Sequence, residues 1–397
     1  MVLSLLKWLQ ASGHHVSPLL FSLSFRMLLT ALLSFTVTVL CGKMLIRKLY
    51  ELKVGHTIRV KDCAVLMASY TKSTDTPSMG GILFLSSMLI AGLVFLDLQH
   101  LFSWVYLLTL VFMAMIGGYD DYRKMKKGDG RGFSGRKKLF LEVMLGCVMC
   151  GMCFSAPVEE GACRFFHLKG GRYKQYDHNE KKMAPVSLNA AFLTLYIPFC
   201  KKAVHLKPAG FPILFFLAVF VFAGSANGVN LTDGLDGLAI GCTLFVAIVF
   251  AILAFVSNHI ELSSYLGTMY VEGASEIGVF LAGLIGASLG FLWFNSFPAQ
   301  VFMGDIGSLT IGALLGLSAA LLRREILLSL VGGIFVIETL SVIVQVASFR
   351  LRKKRVFQCA PLHHHFECKG WHEVKVVMRF WMIGLLLALL GLISIKV

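Results

Sequence analysis

Charge is what this sequence has least of. Only 15% of its 397 residues are Asp, Glu, Lys or Arg, while 57% are hydrophobic. A soluble domain carries about 25% charged residues. This chain cannot cover an apolar interior with polar surface, so a purely aqueous solvent is excluded. Acidic charge is scarcer still, 22 Asp and Glu against 37 Lys and Arg, a formal net charge of +15. No cleavable leader is expected. The first eighteen residues do not run from a basic start through an apolar core to a small-residue cleavage site. A disulfide framework is not expected either, because the ten cysteines lie mostly within apolar runs. Cys147, Cys150 and Cys153 have the spacing of a cluster-binding run but no nearby fourth ligand, and the reading preferred is packing on one helix face. No P-loop or kinase motif is present, which excludes a standard nucleotide triphosphatase. Nor is there an evident nucleophile–base pair for acyl transfer.

What the sequence does have is a series of stretches long enough to cross a bilayer. Ten are read, at 19–41, 80–96, 101–117, 139–156, 210–226, 235–257, 275–294, 307–322, 326–348 and 376–395. The expected fold is all-α, a polytopic bundle of about ten transmembrane helices forming one domain over 1–397. An even count puts both termini on one side. The first, third and ninth loops are basic, carrying among others Arg47, Lys48, Arg123, Lys124, Lys138, Arg350 and Arg355. The positive-inside rule makes their side cytoplasmic and leaves both termini outside. The net charge then reads as topology and contact with anionic headgroups of the lipid bilayer, not as a nucleic-acid surface. Segment 157–209 fits this badly, since it should lie outside yet carries nine Lys and Arg.

The polar constellations fall on the cytoplasmic side of this scheme. Asp120 and Asp121 follow the third span, where the helix dipole disfavours carboxylates and the pair repel each other, so a metal or catalytic role explains them better than a solvated loop. Asp233 and Asp236, three apart at the start of the sixth span, are expected on one helix face. One of them suits a helix cap; two, with Asn227 and Asn230 close by, suit a nucleotide or a hard cation. Asp305 precedes the eighth span and is equally readable as a cap. His363, His364 and His365 sit in a basic loop. Their spacing is not that of a structural zinc site, and imidazoles there suit phosphate or a substrate carbonyl. Carboxylates in a basic surround suit magnesium and phosphate.

Five segments carry a resemblance: TPSMGG at Thr76–Gly81, DDYRK at Asp120–Lys124, NGVNLTDGLDGLA at Asn227–Ala239, FMGDIGS at Phe302–Ser308 and APLHHHFECKGW at Ala360–Trp371. In this order the sequence resembles the phospho-N-acetylmuramoyl-pentapeptide-transferases, MraY-type translocases within the polyprenyl-phosphate N-acetylhexosamine-1-phosphate transferases. The resemblance implies attack of undecaprenyl phosphate on UDP-N-acetylmuramoyl-pentapeptide, giving lipid I and UMP, with magnesium required. It implies that Asp120, Asp121 and Asp305 are catalytic and that Asp305 and Asn230 hold the metal. It assigns Lys124, Asn227, Asp233 and Asp236, with His363, His364 and His365, to substrate binding. The family's Lys before the Met-Gly-Gly is replaced by Ser73, with Lys72 one earlier and Asp75 in place of Gly; a second family Lys falls at Gly128, beside Lys127. Segment 157–185 reads as an insertion between spans four and five, an outward cap or a partner surface.

The acceptor is a phosphate monoester with a second pKa of about 6, already largely dianionic at neutral pH. Charge neutralisation and positioning are therefore the main demand, and direct attack is favoured over a covalent intermediate. Competing readings are a sister transferase loading N-acetylglucosamine phosphate, which should lack the histidine segment, an ion-coupled transporter, and a non-catalytic scaffold. Acids at helix ends on one side, without an inverted repeat, argue against a transporter. The sequence leaves the oligomeric state open, a homodimer included.

Overall fold

In lipid every backbone N–H and C=O must be satisfied within its own segment, so long apolar runs become helices. The computed structural model describes residues 10, 12–13, 17–52, 76–127, 132–177, 182–200 and 203–395. Its main helices are α1 (Leu23–Glu51), α2 (Gly81–Phe95), α3 (Leu101–Lys127), α4 (Gly135–Phe154), α5 (Ala156–Phe166), α6 (Phe211–Thr232), α7 (Leu238–Ser257), α8 (Ala274–Asn295), α9 (Gly304–Leu321), α10 (Glu325–Val331), α11 (Gly333–Arg352), α12 (Leu362–Cys368) and α13 (Glu373–Ile393). Each of the ten expected spans has a helical counterpart, but not all are equal. Eight are long and apolar enough to cross a membrane alone; α4 qualifies only together with α5, and α2 is shorter. The chain is thus a multi-pass membrane protein. Between α4 and α5 the path bends by 84°. Pro157 has no N–H to give to the Cys153 carbonyl, so the α4 hydrogen-bond ladder stops there.

The bundle has an inner and an outer set. Leu309, Leu314 and Leu317 of α9 and Leu281 and Leu284 of α8 are fully buried. Leu40 and Met44 of α1, Phe216 and Phe220 of α6, Leu340 of α11 and Leu386 of α13 are exposed, as lipid-facing side chains are. Helix α1 packs along α8, and α6 and α3 pack along α9. The first approach is backbone-close: a Cβ at Gly286 would lie 2.0 Å from the Ala31 carbonyl oxygen. Small residues drive such approaches where there is no water to expel.

The described residues of segment 157–209 build the end of the molecule away from the motifs. Its hairpin of β1 (Arg172–Asp177) and β2 (Lys182–Val186) is extended by β3 (Tyr270–Glu272), all antiparallel, with Tyr173 opposite both Val186 and Val271. Lys169 N–H donates to the Gln99 carbonyl at 2.7 Å, and Arg323 donates to the carbonyls of Phe192 and Thr194. The loops after α2, α5, α7 and α9 therefore meet at one end. Two of the unexpected cations find local partners there: Arg172 lies 3.8 Å from Glu272, and Lys174 sits over the Tyr270 ring.

Near that end a buried ion pair ties three helices. Arg26 Nη2 lies 2.7 Å from Glu276 Oε2 and donates to the Phe95 carbonyl at 2.8 Å, while Asp97 N–H donates to the same carboxylate at 2.6 Å. Removing one partner of such a pair strands a buried charge, which costs about 3 to 5 kcal/mol. Glu276→Leu should lower the melting temperature in detergent much more than a paired Arg26→Met/Glu276→Leu change. Equal losses would show that the pair does not act as a unit.

Candidate active site

The third span does not stop where its apolar residues stop. Helix α3 continues to Lys127, so Asp120 and Asp121 lie on helix and not in a loop. The expected dipole penalty is moved off the acids by two further turns, and Lys124 falls at the neighbouring i+4 and i+3 positions. Its ammonium is 3.0 Å from Asp120 Oδ2, 3.4 Å from Asp121 Oδ1 and 2.9 Å from Asp305 Oδ2. Lys138, at the start of α4, lies 2.7 Å from Asp305 Oδ2 and 3.5 Å from Asp120 Oδ2. Three carboxylates from two helices are therefore bridged by two ammonium groups. Lys138 was counted in the sequence only as a topology charge; nothing in its spacing marked it as a site residue.

Asp305 is not a cap. It stands in the first turn of α9, where no side chain caps the helix, and its Oδ1 accepts from Asn230 Nδ2 at 2.9 Å. Asp121 Oδ2 accepts the Ile306 N–H at 3.0 Å, and Asp120 Oδ1 accepts the Phe133 N–H. The TPSMGG and FMGD segments are zipped together by backbone. Gly80 and Gly81 donate to the carbonyls of Phe302 and Met303 at 2.8 and 2.9 Å, and Phe302 donates to that of Pro77 at 2.9 Å. Gly304 makes the turn into α9 with φ of 75°, and a Cβ there would lie 2.6 Å from Asp121 Oδ2. Lys72, Ser73, Asp75 and Gly128 lie outside the described residues.

Asn227 and Asn230 occupy the last turns of α6, again helix where a loop was expected. Asn230 also donates to Ser308 Oγ at 2.8 Å, and Asn227 donates to Glu142 and to the Ala223 carbonyl. The expectation that Asp233 and Asp236 share a helix face is corrected: α6 ends at Thr232, α7 begins at Leu238, and both acids lie in the turn between. Gly237, with φ of 77°, breaks the helix. Asp236 Oδ2 accepts the Ala299 N–H at 2.8 Å, and its own N–H donates to Glu373 at 2.8 Å. Asp233 is pushed up to about 8, by burial first and then by the charges of Asp305, Asp121 and Asp236.

The histidines are helical too, on α12, and they divide. His363 is fully buried, its Nε2 2.2 Å from where a Gly234 Cβ would sit, which joins α12 to the acidic turn. Burial holds its imidazole below the usual range, hence neutral. His364 pairs with Glu367 at 2.6 Å, and His365 Nδ1 accepts the Gln358 N–H at 3.2 Å. Glu338 of α11 accepts the N–H groups of Leu362 and His363 at 2.7 and 3.1 Å and so fixes the start of α12. Glu142 and Glu338 are site supports that hydropathy hid inside spans.

The oxygens of Asp120, Asp121, Asp305 and the Asn230 amide are the hard donors magnesium takes. Among the described residues they are not gathered into a metal cage, because Lys124 and Lys138 stand between them. The donor chemistry nonetheless fits: three carboxylates against two ammonium groups leave one negative charge over.

A family model described as "Glycosyl transferase family 4" matches residues 103–323, a span that runs from within α3 past the end of α9 and includes Asp120, Asp121 and Asp305. A phospho-N-acetylmuramoyl-pentapeptide-transferase of Protochlamydia amoebophila (strain UWE25) is 47% identical over 384 residues, covering 94% of each chain. One of Methylacidiphilum infernorum (isolate V4) is 42% identical over 379 residues, again 94% of each.

The raised Asp233 carboxyl carries a sign. Between its unfolded value and about 8 the folded chain holds a proton that the unfolded chain has lost, so stability falls as pH rises through that window. The detergent melting temperature of the wild type should fall more between about pH 5 and pH 8 than that of Asp233→Asn. Parallel profiles would refute the raised carboxyl.

Proposed function

The chain belongs to glycosyl transferase family 4, and on that premise we propose that it transfers phospho-N-acetylmuramoyl-pentapeptide from its UDP conjugate to undecaprenyl phosphate, forming lipid I and UMP. The observation that carries this is the cluster of Asp120, Asp121 and Asp305 bridged by Lys124 and Lys138 at one end of a membrane bundle. An oxygen of the lipid phosphate bonds to the sugar-side phosphorus. The bond from that phosphorus to the bridging oxygen breaks, and this oxygen leaves with UMP. The acceptor is largely dianionic near neutral pH, so no strong base is required of Asp120. What the reaction needs is a way to bring two anions together. Lys124 and Lys138, released from the carboxylates, are placed to take phosphate oxygens. Magnesium, held by Asp305 and Asn230 with the paired acids, would supply further neutralisation of the diphosphate. The turn holding Asp233 and Asp236, with α12 behind it, forms the wall assigned to the nucleotide-sugar.

The acceptor has its own approach. An apolar groove of about 260 Å³ runs between α6, α9, α10 and α11, lined by Phe220, Leu315, Phe335, Leu340 and Ile343. Its lining includes Gly228, the neighbour of Asn227 on α6. That is the shape and polarity a polyprenyl chain requires. The basic ends of α1 and α11, with Lys48, Arg350 and Arg352, lie at the site's end of the bundle, as the contact of Gly42 with Phe294 and of α11 with α12 places them. The positive-inside rule makes that end cytoplasmic and both termini external.

Purified protein in detergent should release UMP from UDP-N-acetylmuramoyl-pentapeptide only with undecaprenyl phosphate and magnesium, and Asp305→Asn should abolish release. Release from UDP-N-acetylglucosamine instead would transfer the chain to the sister activity, and release surviving chelation would remove magnesium from the scheme. Lys138→Ala should lower kcat/KM by about a hundredfold, the scale of losing one charge-stabilising group. A change under threefold would leave Lys138 a structural counterion.

A further inference from the structure

Glu142 is a carboxylate in the middle of an apolar helix, fully buried, and no motif contains it. It stands one turn beyond Lys138 on α4. Its Oε2 accepts from Asn227 Nδ2 across the α4–α6 contact, and its Oε1 has no hydrogen-bond partner among the described residues. A buried carboxylate this poorly satisfied is expensive, so its position calls for a reason.

The reason lies in what it does to Asn227. A side-chain amide has two N–H donors on one end and a carbonyl acceptor on the other. Asn227 spends one N–H on Glu142 and directs the same nitrogen to the Ala223 carbonyl at 2.9 Å. The Ala223 carbonyl, and Glu142 as a carboxylate, are acceptors and cannot receive the carbonyl end. The amide is thereby locked with Oδ1 turned from α4 and from its own helix. Asn230, one turn on, repeats the pattern: its nitrogen donates to Asp305 at 2.9 Å and to Ser308 at 2.8 Å. Residues three apart on a helix are neighbours on its surface. The two amides are thus oriented alike, each with its nitrogen committed to acceptors.

Resting on the transferase reading above, we propose that Glu142 is the positioning residue that fixes Asn227 so that it offers the reactants an acceptor and never a donor. An amide free to flip would present N–H half the time to a partner that needs oxygen. The group read by Asn227 must then be electropositive, a hydroxyl, an N–H or a cation, and not a phosphate oxygen.

A double-mutant cycle tests this. Glu142→Leu should lower kcat/KM for UMP release by about tenfold or more, and Glu142→Gln, whose amide oxygen still accepts, by less than about threefold. Glu142→Leu/Asn227→Ala should be no worse than Asn227→Ala alone, because Glu142 acts through Asn227. Additive losses would overturn the proposal. If the leucine variant does not fold, a charge exchange replaces it. Asn227→Asp should fail by setting two carboxylates together, and Glu142→Gln/Asn227→Asp should recover part of the activity; no recovery rejects the role. The same cycle read in thermal unfolding needs no substrate. A wild type silent toward this donor would discredit the transferase reading, while coupling or its absence in unfolding would still decide the Glu142–Asn227 lock.

Discussion

Two ammonium groups held among three carboxylates are the constraint on which this structure turns. Asp120 and Asp121 come from α3, Asp305 from α9, and without Lys124 and Lys138 the acids would drive those helices apart. The helices do the reverse. A Cβ at Gly117 would lie 2.4 Å from the Asp305 carbonyl oxygen, so the backbones touch at the level of the cluster. The backbone zipper between Gly80–Gly81 and Phe302–Met303 fixes α2 to the same corner. Once α2, α3, α4 and α9 are pinned there, α6 has one place to present Asn230, and the α6–α7 turn follows.

The far end of the bundle solves a different problem. Its polar groups do not cluster for chemistry; they close gaps. Arg26 and Glu276 join α1 to α8, and Arg323 gathers the carbonyls of Phe192 and Thr194. The β-hairpin of 172–186 pairs with β3 and roofs the loops. One end of the same bundle is thus closed over by its own loops, the other charged and poised to exchange partners.

Much of this was legible in the sequence, for physical reasons. Spans announce themselves by lack of charge, and five motifs in order announced a family. Hydropathy marks where lipid ends, not where helix ends. Asp120, Asp121, Asn227 and Asn230 lie on helices that run on past the apolar region, and the three histidines lie on a short separate helix, α12, within their loop. The single reverse case is the Asp233–Asp236 pair, where Gly237 interrupts what periodicity had joined. Lys138 and Glu142 were missed because a lysine near a span reads as topology and a lone carboxylate within one has no motif.

The apolar groove between α6 and α11 opens sideways, on the face where Phe220, Leu340 and Ile343 stand. The charged cluster opens at the end of the bundle. Two compounds of opposite solubility would therefore arrive along perpendicular paths, one by a two-dimensional search within the leaflet and one by three-dimensional diffusion from water. Neither would cross the other's solvent. Crowding the membrane and viscosity in the bathing solution then become separate throttles on the same turnover.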